Sequence, residues 1–118
     1  MRAQLITSAI VFVAGASVFT AAAALDGGYE SNGVTMTFND DGVVATAVAA
    51  ASLSFNSSYS LEGDTLTITA AADDQFCPGV AGTYTVEETD EGVTFSLIED
   101  SCELRAGSLT GGHWTSSN

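Results

Sequence analysis

The chain contains no lysine, and its two arginines, Arg2 and Arg105, stand against fifteen aspartates and glutamates. That shortage excludes nucleic acid and anionic membrane surfaces as partners, because binding either requires clustered cations to displace counterions. Histidine is nearly as scarce, with His113 alone. A Ser-His-Asp relay would have to use it, with Ser108 and Asp100 as its nominal partners, and no GxSxG nucleophile turn is present. One histidine and two cysteines do not furnish a four-ligand zinc site. The acid pairs Asp40/Asp41, Asp73/Asp74, Asp90/Glu91 and Glu99/Asp100 lack EF-hand spacing and read as solvated turn acids. No apolar run reaches the ~20 residues of a bilayer helix. These absences point away from an enzyme and leave no metal or cofactor to expect.

Residues 1–24 read as a secretory signal peptide: Arg2, an apolar run from Leu5 to Phe19, then Ala22, Ala23 and Ala24. A buried core helix is the alternative. Cleavage after Ala24 leaves one domain over residues 25–118, secreted or periplasmic and without a membrane span. Arg105 is then the only cation in it. Such a surface suits solubility in high salt, or a basic protein partner. In an exported chain Cys77 and Cys102 are expected to pair, and a closed loop of this size contributes ~3 kcal/mol. Two free thiols are the competing reading.

After residue 33, period-2 segments rich in aliphatics and Thr alternate with clusters of Gly, Asp, Asn and Ser, the pattern of an all-β chain. In β-hairpin fashion YSLEGDTLTITA places Leu66, Ile68 and Ala70 on one face and Thr65, Thr67 and Thr69 on the other. GTYTVEETDEGVTFSLI reads as a second hairpin, with Tyr84 and Val86 opposite Val93, Phe95 and Leu97. VVATAVAAASLSF puts Val43, Ala45, Ala47, Ala49, Ala51, Leu53 and Phe55 on one parity, expected to face inward. With Ala70 and Ala72 these small side chains either let strands pack closely or leave a void. SCELRAGSL reads as one short helical turn. Moving the first hairpin forward by 25 residues lays Tyr59 on Tyr84, Leu61 on Val86, Ile68 on Val93 and Cys77 on Cys102. The phrases DDQFC and EDSC therefore end two equivalent units at one rim of a meander, where a disulfide is geometrically feasible.

GDTLTITAAADDQFCPGVAGTYTV and VTFSLIEDSCELRAGSLTGGHWT resemble the C-terminal halves of bacterial secreted lipocalin-like (calycin-type) proteins of unassigned function. Those carry a CPG, a GTY, a Leu-Thr-rich strand, an Asp-x-Cys-x-x-Arg phrase and a terminal Trp. Tyr29 of GGYE stands where lipocalins usually carry the Trp of a Gly-x-Trp. The resemblance implies a small antiparallel up-and-down β-barrel, of about seven to nine strands.

Arg105, facing so many acids, is expected to pair with Asp100, or with the acids at 73 and 74; capture of an anionic ligand is the functional alternative. The expected protein is a monomeric, non-enzymatic binding module. Its ligand is small and apolar or amphipathic, held by Tyr59, Tyr84, Phe95 and Trp114. The alternative is a protein-protein interaction module such as an inhibitor of an extracellular hydrolase. A cavity of ~300 Å³ or more favours the first; a filled core with an exposed apolar rim favours the second.

Overall fold

Alternation of aliphatic and small polar residues, punctuated by Asn-Gly, Asp-Gly and Gly-Asp turns, folds the chain into a meander. A computed structural model describes residues 25–117; the signal peptide expected over residues 1–24 lies outside the described residues. The strands are β1 (Gly27–Ser31), β2 (Val34–Phe38), β3 (Val43–Val48), β4 (Leu53–Glu62), β5 (Thr65–Ala70), β6 (Ala81–Glu88), β7 (Gly92–Asp100) and β8 (Trp114–Ser116). One helix, α1 (Glu103–Thr110), separates the last two. Each strand pairs antiparallel with the next, and β8 pairs with β1, so the sheet closes as an eight-stranded up-and-down barrel.

The expected faces hold in most strands. Leu66, Ile68 and Ala70 are buried, and Val86, Val93 and Phe95 join them in the core. Gly63, in the left-handed region at φ 63°, makes the two-residue turn between Glu62 and Thr65 that the EGD phrase signals. The long alanine-rich segment is different. It is two strands, interrupted by a 3-10 turn over Ala49–Ala51 and by Ser52 at φ 50°. The interruption resets the parity. In β3 the buried residue is Val44, so Ala45 and Ala47 turn outward, while Leu53 and Phe55 in β4 face the interior as expected. Ala49, Ala51 and Ala72 are exposed. Alanine packs adequately on either face, so volume decides: the β-branched pair Val44 and Val48 takes the interior.

The two hairpins repeat in side-chain pattern and not in register. Tyr59 faces Ile68, whereas Tyr84 faces Leu97 and not Val93. On β7 the register shifts between Leu97 and Glu99, and Ile98 is the extra residue of a β-bulge. Leu97 and Ile98 are both exposed, a departure from the inward position expected of Leu97. The bulge also advances the parity, so Asp100 rather than Glu99 points into the protein. The expected helical turn after Cys102 is the longer α1, which packs along β7.

Alternate turns of a meander gather at the same end. The β2–β3, β4–β5 and β6–β7 turns form one end, which carries Asp40, Asp41, Asp64, Asp90 and Glu91. Tyr29, Phe38 and Tyr59 plug it, with edge-on ring pairs at 5.9 and 5.0 Å. The Tyr59 hydroxyl donates to the Asn39 carbonyl at 2.7 Å. Burial first, then the charges of Asp40, Asp41 and Asp26, push the Tyr59 pKa up. The other end holds the β3–β4 turn, the 71–80 loop, both cysteines and the start of α1.

Candidate functional site

Cys77 and Cys102 are bonded, with an S–S distance of 2.05 Å and Cα atoms 5.9 Å apart. The two acidic phrases share a local device as well as a bond. The Asp74 carboxylate accepts the backbone N–H groups of Phe76 and Cys77, at 3.0 and 2.8 Å, and the Asp100 carboxylate accepts that of Cys102 at 2.9 Å. In both phrases a carboxylate turns the chain toward its cysteine. The disulfide then fastens the 71–80 loop to the N-terminus of α1.

Beside the disulfide, Asp100 and Arg105 form the expected pair. Arg105 Nε donates to Asp100 Oδ2 at 2.7 Å and Nη2 to Oδ1 at 2.9 Å, while Nη2 also reaches the Val80 carbonyl at 3.1 Å. Tyr84 donates its hydroxyl to Asp100 Oδ2. The Asp100 side chain is fully buried and that of Arg105 is 14% exposed. Four hydrogen bonds on one carboxylate satisfy its acceptor capacity, which is what a buried charge requires. Gly82 faces Asp100 across the β6–β7 ladder, and a Cβ at this position would overlap the carboxylate, so only glycine clears it.

Burial alone would raise the Asp100 pKa. The hydrogen bonds from Arg105, Tyr84 and the Cys102 amide, with the Arg105 charge, outweigh it and hold the pKa below its ordinary value of 3.8. Burial and then the bond and charge of Asp100 push the Tyr84 pKa well above 10.0. For Arg105, burial opposes the charge and is overcome by Asp100, so its pKa is raised. A depressed acid contributes stability that is present above the unfolded pKa and lost as pH falls through the folded one. Thermal melting followed down through the carboxylate range should therefore lose stability progressively, and Asp100→Asn should flatten that loss. On the alkaline side the raised Tyr84 contributes fully below 10.0 and is lost above it. An Asp100→Asn profile parallel to that of the parent protein would refute the assignment.

Inside this corner the barrel encloses a cavity of about 250 Å³ whose walls are overwhelmingly apolar. Met36, Val44, Ile68, Leu109 and Trp114 line its depth; Leu53, Phe55, Phe76, Leu104 and the disulfide frame its mouth. Phe76 is 48% and Leu104 60% exposed, unusual values for side chains of this size at an apolar opening. The Trp114 ring is 1% exposed; its indole N–H donates to the Leu109 carbonyl at 3.0 Å, which ties β8 to α1. The volume falls a little short of the ~300 Å³ at which drug-sized pockets begin, and so suits a slender ligand over a bulky one.

Of the four aromatic residues expected to hold a ligand, Trp114 lines this cavity. Phe95 packs edge-on against Trp114 at 6.1 Å within the core cluster, Tyr84 is buried on Asp100, and Tyr59 belongs to the plugged end. Phe55 faces inward as expected, whereas Phe76 and Leu104 are the mouth residues that the sequence did not single out. Phe76 adjoins Cys77, which was the available signal. The histidine lies elsewhere: His113 Nε2 is 2.6 Å from the Thr89 hydroxyl, and Asp100 is engaged by Arg105 and Tyr84. The ionisable residues lining the cavity are Asp74 and Arg105, both held in the bonds just described.

The fold and this cavity define a disulfide-braced, eight-stranded antiparallel β-barrel with an apolar interior opening at one end. No protein family, curated protein or solved structure matches the chain. Among the described residues, no helix is long and apolar enough to cross a membrane, and a disulfide of this kind forms in oxidising compartments.

Proposed function

We propose that the protein is a non-enzymatic carrier, a lipocalin-like (calycin-type) barrel working outside the cytoplasm, which holds a small apolar or amphipathic ligand. The observation that carries this reading is the cavity itself: an apolar interior, open at one end, whose mouth is framed by side chains too large and too exposed to serve the core. Arg105 and Asp100 neutralise each other beside it, and the Asp74 carboxylate on its wall is engaged by two backbone N–H groups. Burial of apolar surface then supplies affinity at roughly 25 cal/mol per Å² before the costs of association.

The neutral fluorophore N-phenyl-1-naphthylamine should brighten on binding and quench the only tryptophan, Trp114. Ala70 lines the cavity and is buried, so Ala70→Leu fills space within it while Phe76 and Leu104 are unchanged. The variant should bind the dye about tenfold less tightly or worse, a change of about 1.4 kcal/mol. Its melting temperature should hold or rise, because a void is filled. Dye affinity equal in the two proteins would place the dye elsewhere and remove the basis of the reading.

The apolar rim favours a second reading, in which the mouth docks a protein such as an extracellular hydrolase and the acidic surface steers a basic partner toward it. In that case serine at Phe76 and Leu104 abolishes partner capture, while Ala70→Leu leaves it intact.

A further inference from the structure

A second recess adjoins the cavity at the mouth end of the barrel. Leu53, Phe55, Asp74 and Phe76 line the cavity and also line this recess, which is open to solvent. The chemistry changes across that line. Within the recess stand Ser54, Asn56, Asp73 and Gln75, which bring a hydroxyl, two amides and a carboxylate, and no cation. Asp74 is committed to the amides of Phe76 and Cys77; Asp73, beside it, is exposed. An apolar chamber with a polar, acid-bearing recess against the same four residues suits a molecule with two unlike ends.

The sign of the polar end follows from the charges present. Arg105 is the one cation on the cavity wall, and its Nε and Nη2 are held by Asp100 and the Val80 carbonyl. That pair is neutral as a unit. Everything else ionisable in the cavity and the recess is acidic, on a chain with a formal charge of −13. A carboxylate or phosphate head entering here would meet Asp73 and Asp74 at close range and a negative potential farther out. A cation would meet attraction at both distances.

We infer that the ligand is a slender amphiphile with a cationic head, an amine or quaternary ammonium, whose chain fills the barrel and whose head lies in the recess beside Asp73. This rests on the carrier reading above and narrows it to one class of ligand. The chain supplies affinity by burial, and the head supplies selection, since a single exposed ion pair adds about a fivefold preference or less.

Three probes with the same dodecyl chain separate the two levels. Dodecylamine, dodecan-1-ol and dodecanoate are titrated below their aggregation concentrations and followed by Trp114 fluorescence, at low and at high sodium chloride. At low salt the amine should bind about fivefold more tightly than the alcohol, and dodecanoate more weakly than either. High salt should bring the three together. Asp73→Asn, an exposed substitution, should remove most of the amine's advantage and leave the alcohol unchanged. Equal binding of amine and alcohol at low salt overturns the inference and leaves the carrier reading standing. So does a preference for dodecanoate, which would place the head on Arg105 Nη1. If none of the three binds, the carrier reading falls with it.

Discussion

Arg105→Met should destabilise the protein by about 3–5 kcal/mol, because it leaves the buried Asp100 carboxylate without its charge partner. A domain of this size has about 5–15 kcal/mol of stability in total, and each kcal/mol moves the melting temperature by about 4–8 °C. The variant should therefore melt roughly 15–30 °C lower. Its pH dependence should also change sign. In the parent protein the depressed Asp100 pKa makes acid destabilising. In the variant, burial acts on the carboxylate without opposition from the guanidinium, its folded pKa rises above the unfolded value, and lowering the pH restores stability by neutralising it. Adding Asp100→Asn to Arg105→Met removes the stranded charge and should recover a good part of the loss. Urea melts of the three variants at neutral and mildly acidic pH test this. An Arg105→Met protein that melts like the parent would show that the guanidinium contributes nothing to the fold, and a double variant no better than the single would show that the stranded charge is not the cause.

Removing the disulfide with Cys77→Ser and Cys102→Ser is the second large perturbation. The bond joins residues 25 apart in sequence, and closing a loop of that size is worth about 3 kcal/mol through the reduced entropy of the unfolded chain. The expected fall in melting temperature is roughly 12–25 °C. The effect on binding should exceed that of a remote destabilisation, since both cysteines line the cavity and hold Phe76 and Leu104 in place at its mouth. Dye affinity is the second measurement: where the double serine variant is still folded, it should be weakened, whereas an equally destabilising change at the plugged end, such as Phe38→Ala, should leave it near the parent value. Parent-like melting after loss of the bond would contradict the expectation.

The residues differ in how plainly they announced their positions. TLTITA states its two faces outright, because leucine and isoleucine alternate with threonine and nothing else competes for the interior. The cysteine phrases revealed their pairing through repetition, and Arg105 through scarcity: a lone guanidinium among so many acids finds a partner, and Asp100 has the nearer, buried carboxylate. The alanine-rich segment was misread because alanine carries almost no burial preference, so a period-2 pattern of alanines cannot say which face is inside. Valine at 44 and 48 carried that information. Leu97 was lost for another reason. A bulge is one inserted residue, invisible to periodicity until the partner strand is known, and here it decides which of Glu99 and Asp100 is buried. The cavity was least legible of all. Its walls come from five strands, a loop and a helix, and their convergence on one space is a tertiary fact that no local pattern encodes. Tyr59, Tyr84 and Phe95 illustrate the same gap, since inward parity does not distinguish a residue that lines a space from one that fills it.

The closure of the barrel has a kinetic meaning as well. Every strand pair except one joins neighbours in the chain, and all but β5–β6 and β7–β8 close short loops. The exception is the seam, where β8 holds β1 through Tyr29 and Glu30 and holds β7 through Gly92 and Val93. Bringing Ser116 beside Tyr29 closes a loop of nearly the whole domain, the largest entropic cost in its assembly, in return for very few ladder bonds. The meander can thus zip from one hairpin to the next while the seam waits for Trp114 to find Leu109 and draw the last strand in, which makes a tryptophan on the ligand's own wall the latch of the folding reaction.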